Sequence, residues 1–131
     1  VARTEVYRGE RYTIAFALEK SGKCPGAEFF MALPTLDKAK LMALFKIACD
    51  LGKMNNPEKF GDLGDGLREF KSHQIRMPFA FARNERGLIL ITHGFIKKRD
   101  KAPPEEIKRA RRILDEDQGR PGLEIVRKAK Q

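Results

Sequence analysis

Hydrophobic and polar positions alternate most clearly between residues 67 and 92. "LREFK" (67–71), "QIRMPFAFA" (74–82) and "LILIT" (88–92) are rich in aliphatic and aromatic residues and are joined by short polar connections, a pattern that predicts three strands in a meander. Ser72-His73 is a loose candidate for the first turn, because favoured hairpin turns want Gly or Asn. "RNERG" (83–87) supplies both for the second. In the middle strand Ile75, Met77, Phe79 and Phe81 fall on one face, and Gln74, Arg76, Pro78, Ala80 and Ala82 on the other. Pro78 has no N–H to give a ladder, which predicts an edge or a bulge there.

Elsewhere the period is helical or absent. Leu41, Leu44, Phe45, Ala48 and Leu51 recur at helical spacing and predict a helix over 35–51, with Thr35 as N-cap and Gly52 as its stop. A shorter helix between Pro25 and Pro34 follows from the two prolines that bracket it. "YTIAFALEK" (12–20) reads as a strand and "GKMNNPEKFGDLGDG" (52–66) as a loop rich in turn residues. After Pro103-Pro104, acidic Glu105 and Glu106 sit where a helix N-terminus favours negative charge. Ile107, Ala110, Ile113 and Leu114 then form an apolar stripe. The order predicts an α+β fold, with helices packed on one face of a mostly antiparallel sheet. Residues 1–117 are expected to form one domain, and 118–131 a tail or a short helix at 122–130.

Composition narrows the class. With 41% hydrophobic and 34% charged residues the chain is globular rather than disordered, and no apolar run approaches the ~20 residues of a membrane span. The polar residues 1–10 carry no secretory leader, so a cytoplasmic protein is expected, with Cys24 and Cys49 as reduced thiols at no metal or redox spacing. Charge changes the picture more. The net +9 is concentrated: residues 68–112 hold thirteen Lys/Arg against five Asp/Glu, whereas 1–67 hold ten against nine. A basic segment of this kind marks a polyanionic partner, nucleic acid before membrane, because it alternates with strands instead of forming one amphipathic helix.

The residues "GLREFK" and "IRMPFAFARNERGLILITHGFIKKRDKAPPEEIKRARR" resemble the phage-derived HigB-like branch of the RelE/ParE toxin superfamily. The resemblance runs in order through about residues 35–117 and is strongest at 66–112. It implies a small RelE-like fold and a toxin of a type II toxin–antitoxin system that cleaves mRNA, usually on the ribosome. The cognate antitoxin that silences it is of helix-turn-helix type in many members. Lys71 stands where the family's strand carries arginine, and Pro78 interrupts the strand after Arg76. The N-terminal 30 residues and the C-terminal tail are less typical.

RNA brings its own nucleophile, the 2′-hydroxyl, so a ribonuclease needs a base, cations for the phosphorane and an acid for the leaving oxygen. No cofactor and no metal are expected. Asp62, Asp65 and Glu69 lie three and four apart, not at the alternate positions of a calcium loop, and read as turn chemistry. The catalytic candidates are Arg76, Lys71, His93, His73 and Glu69, and the RNA-binding candidates Arg68, Lys97, Lys98, Arg99 and Lys101. Plainer roles stand beside these: a solvated loop for His73, a structural tie at the Gly94 turn for His93, an ion pair for Glu69. Which residue is base and which acid stays open. So do two other functions, a ParE-like inhibitor of gyrase and a non-catalytic nucleic-acid-binding module.

Overall fold

A computed structural model describes residues 2–98 and 103–119. In chain order the elements are β1 (Glu5–Arg8), β2 (Thr13–Phe16), α1 (Pro25–Met31), α2 (Thr35–Lys46), β3 (Phe60–Gly64), β4 (Leu67–Ser72), β5 (Ile75–Phe81), β6 (Leu88–Ile91), β7 (Phe95–Ile96) and α3 (Pro104–Gln118). The sheet runs β1-β2-β6-β5-β4-β3, with the short β7 beside β5. Only the β2–β6 pair is parallel among the described strands. The fold is α+β with a mostly antiparallel sheet, consistent with a small RelE-like fold.

One detail differs from expectation. The helices, predicted on one face, divide between both. Alternation along β2 and β6 sends Ile14, Phe16, Ile89 and Ile91 to a core with α1 and α2, and Ala15, Leu88 and Leu90 to a second core with Ala110, Ile113 and Leu114 of α3. Both faces of these central strands are therefore apolar, which is why "LILI" is continuous rather than alternating. The first core is built on rings: Phe70 stacks on Phe79 at 4.2 Å and meets Phe45 of α2 edge-on at 4.9 Å. Such pairs add about 0.5–1.5 kcal/mol each beyond the area they bury.

Three local outcomes follow from neighbours the pattern could not reveal. The predicted helix 35–51 is α-helical to Lys46 and then widens into a π turn, Ile47–Leu51. The carbonyl of Cys49 accepts from the N–H groups of Arg11 and Tyr12, and Asp50 accepts from the Tyr7 hydroxyl and the Glu10 N–H. The Asp50 carboxylate beside it holds the Tyr7 phenol up at about 12. This turn thus anchors the β1–β2 connection. Thr35 is the first helical residue and not the cap, a position Pro34 takes. The strand expected over 12–20 is confined to Thr13–Phe16.

Pro78 lies in a central strand, not at an edge. Its carbonyl accepts from the Thr92 N–H at 2.9 Å, so its missing N–H faces the same side, where the ladder is interrupted between Ile91 of β6 and Phe95 of β7. The proline occupies the place where no donor is required. Near the chain's beginning Arg3 bonds to fully buried Asp117 at 2.8 Å and to Glu85 at 2.9 Å, and Asp117 also accepts from the Leu18 N–H. These bonds tie the approach to β1 onto the last turn of α3. Among the described residues no helix is long and apolar enough to cross a membrane. The short helix expected at 122–130 lies outside the described residues.

Candidate active site

The β4–β5 hairpin carries the site. Leu67, Glu69 and Lys71 alternate onto the α3 side of the sheet, as do Arg76, Pro78 and Ala80 from β5. α3 covers the Leu67/Ala80 end of this face. At the other end Lys71 pairs with Arg76 across the strands, and Glu69 lies between Pro78 on one side and Gly61 of β3 on the other. Lys97 is brought in by β7: its N–H donates to the Gln74 carbonyl at 2.7 Å. Gly61, Glu69, Lys71, Lys97 and Ile107 line an open groove of about 660 Å³.

Two groups in this cluster are buried and incompletely bonded. Glu69 is 6% exposed, and its Oε1 finds no hydrogen-bond partner among the described residues. Burial pushes its carboxyl pKa up, while the positive charges of Arg76, Lys71 and Lys97 oppose the rise. Arg76 is 8% exposed. Its Nη1 donates to the carbonyls of His73 at 2.6 Å and Ile75 at 2.9 Å, and its buried Nε has no acceptor among the described residues. Arg76 therefore also braces the hairpin, beyond the catalytic role expected of it. Lys71 reaches across β3 to donate from Nζ to the Pro57 carbonyl at 2.9 Å.

The other candidates are placed elsewhere. Arg68 faces the α2 side, where Nη2 donates to the Met54 carbonyl at 2.5 Å and the guanidinium stands 6.0 Å above the Phe79 ring. Its flank borders the groove. His73 is in the hairpin turn, which is His73-Gln74 and not Ser72-His73, at a φ of 54°. Its Nε2 lies 2.9 Å from Lys40 Nζ of α2. Nothing in the spacing of Lys40 on the 35–51 helix distinguishes it in the sequence.

His93 is fully buried, with Nδ1 2.9 Å from Thr92 Oγ1 and Nε2 3.1 Å from Glu106 Oε1 of α3. A carboxylate only accepts, so Nε2 carries the proton and Nδ1 accepts from the threonine hydroxyl. Burial and the positive charge of Arg109 hold its pKa below the ordinary value against the pull of Glu106. In this arrangement His93 joins α3 to the β6–β7 corner and stands apart from the groove. Lys98 is exposed, and Arg99 and Lys101 lie outside the described residues. Asp62 accepts from the Gly64 N–H at 2.9 Å, an ordinary turn bond.

The cluster is thus one carboxyl of raised pKa, with an oxygen unbonded among the described residues and three cations around it, beside a groove open to an extended anionic chain. No curated protein matches the sequence. A family model described as "Phage derived protein Gp49-like (DUF891)" matches residues 28–115, from α1 into α3, a span that contains every residue of the cluster. The chain belongs to this phage-derived Gp49-like family, which is part of the RelE/HigB-like toxin–antitoxin group.

Proposed function

We propose that the protein is a HigB-like toxin that cuts mRNA without a metal ion and is silenced by a cognate antitoxin, of helix-turn-helix type. The observation that carries this reading is a pair of buried polar atoms with no hydrogen-bond partner among the described residues, Glu69 Oε1 and Arg76 Nε, on one sheet face beside Lys71 and Lys97. An unmet acceptor and an unmet cationic donor are costly to bury, and a bound ribonucleotide relieves both, its 2′-hydroxyl donating to Glu69 Oε1 and a phosphate oxygen accepting from Arg76 Nε.

Glu69 Oε1 takes the proton of a ribose 2′-hydroxyl. The freed 2′-oxygen attacks the adjacent phosphorus, and charge grows on the non-bridging oxygens. Arg76, Lys71 and Lys97 stabilise that charge from positions fixed by the sheet. The P–O5′ bond breaks, and a lysine ammonium of the cluster gives a proton to the departing oxygen. The products are a 2′,3′-cyclic phosphate and a 5′-hydroxyl end. A raised carboxyl pKa suits the base, because a base titrating nearer neutrality has more driving force for proton transfer.

The test is induced expression without antitoxin, followed by mapping of mRNA 5′ ends. Growth arrest with new 5′-hydroxyl ends is expected. Intact transcripts with inhibited gyrase would replace this reading by the ParE-like one. Purified protein is expected to cut RNA in chelator, and cutting that needs added metal would overturn the mechanism.

A further inference from the structure

Gly61 sits on the outer strand β3 directly across from Glu69. Its φ is not among the positive ones, so the backbone there does not itself require glycine. Space does. A Cβ at this position would stand 2.9 Å from Cγ and Oε2 of Glu69 and 3.3 Å from Cδ of Lys71. All three atoms belong to flexible side chains, not to the strand. A glycine inside a strand weakens it unless something approaches its bare backbone closely, and here the Glu69 side chain does.

We propose that Gly61 is a positioning residue: the bare backbone of β3 is the seat on which the Glu69 side chain lies, and any side chain at 61 lifts Glu69 out of its place beside Arg76 and Lys97. The proposal rests on the reading of Glu69 as the base. The seat does two things at once. It lets the carboxylate fold down against the sheet, so that Oε1 ends beneath the cations. It also removes that carboxylate from water, which is what raises its pKa. Both effects reside in a residue that has no chemistry of its own.

The experiment compares wild type, Gly61→Ala, Glu69→Gln and the double variant. Each is measured for cleavage of a defined RNA in chelator across pH, for melting temperature, and, where Glu69 remains, for titration of its carboxyl by carbon-detected NMR. Gly61→Ala is expected to melt at or above wild type and to lose about 10²-fold in cleavage, the size of loss that an ångström-scale misplacement brings. Its acid limb and the Glu69 titration move to lower pH together, because the carboxyl returns to water. In the Glu69→Gln background the alanine costs nothing further.

An unchanged Glu69 titration with wild-type cleavage overturns the proposal. So does an equal loss in the Glu69→Gln background, which would mean that residue 61 acts through RNA or Lys71. A Gly61→Ala protein that melts well below wild type places the need for glycine in the strand and also overturns it. If wild type cuts no RNA at all, the functional reading fails on its own, and the NMR titration still decides whether Gly61 seats Glu69.

Discussion

Glu69 and Arg76 are each asked to do two jobs, and the jobs pull apart in opposite directions. Because the folded pKa of Glu69 is raised, its proton is held more tightly in the native state. The resulting stabilisation is full below the unfolded carboxyl pKa and is lost as pH rises through the folded one. Ionised Glu69 therefore weakens the fold at neutral pH. Glu69→Gln is expected to cost about 10²–10⁴-fold in cleavage, as removal of a general base does. It should nonetheless melt higher than wild type at neutral pH, with the difference shrinking in acid. Arg76 behaves differently, since its guanidinium also holds two carbonyls of the hairpin. Arg76→Ala should raise the barrier by about 2–4 kcal/mol, the cost of one electrostatic stabiliser. It should also lower stability, by about 1.5–3 kcal/mol for the lost charged hydrogen bonds. Arg76→Lys keeps the charge and loses the fork, so it recovers only part of either. Rates and melting curves of the three variants separate the two roles.

At the scale of elements, one buried imidazole helps to dock α3, beside the apolar contacts of Ala110, Ile113 and Leu114. Glu106 on its first turns meets His93 in the β6–β7 corner, and Arg109 and Arg112 add positive charge nearby. The depressed pKa means that His93 contributes stability above its ordinary value of 6.5 and loses it as pH falls through the folded value. Wild type should thus show an acid loss of melting temperature that His93→Gln lacks, although the variant starts lower. The elements themselves were unevenly legible. β4 and β5 and helices α2 and α3 stand out because each buries a face whose period survives in the sequence, and β6 because it is an unbroken apolar run buried on both sides. β1 ("EVYR") and β3 ("FGDLG") do not, because edge strands with exposed residues and glycines keep no alternation. The same limit applies to the site. Alternation already separates Arg76 from the apolar face of β5, and the charge count singles out the region. That Glu69 is buried, that Arg68 turns to the other side and that His93 is sealed under α3 all depend on what covers each face. Such coverage is tertiary and leaves no local mark.

For the whole molecule, charge and topology each have a measurable consequence. Binding to RNA or ribosomes should weaken with salt by about 0.7 log units per phosphate contact per tenfold change on single strands, and replacing Lys97 and Lys98 by Ala should flatten that slope. An unchanged slope would put the interface elsewhere. The tie between Arg3 and buried Asp117 joins the two ends of the described chain, so Arg3→Ala strands a buried carboxylate and should cost about 3–5 kcal/mol in denaturant unfolding. The parallel pairing of β2 with β6 bears on time rather than energy. Thr13 waits for Leu88, and at about 5–20 residues per second a ribosome needs on the order of 4–15 s to make the stretch between them. The strands that carry Glu69, Lys71 and Arg76 are close in sequence and emerge together; Lys97 and the helix that completes their surroundings come later. Until then the Glu69 carboxyl lacks the positive charge of Lys97 beside it. On the proposed reading the site would acquire its chemistry last, and a growing chain would spare the ribosome that is making it.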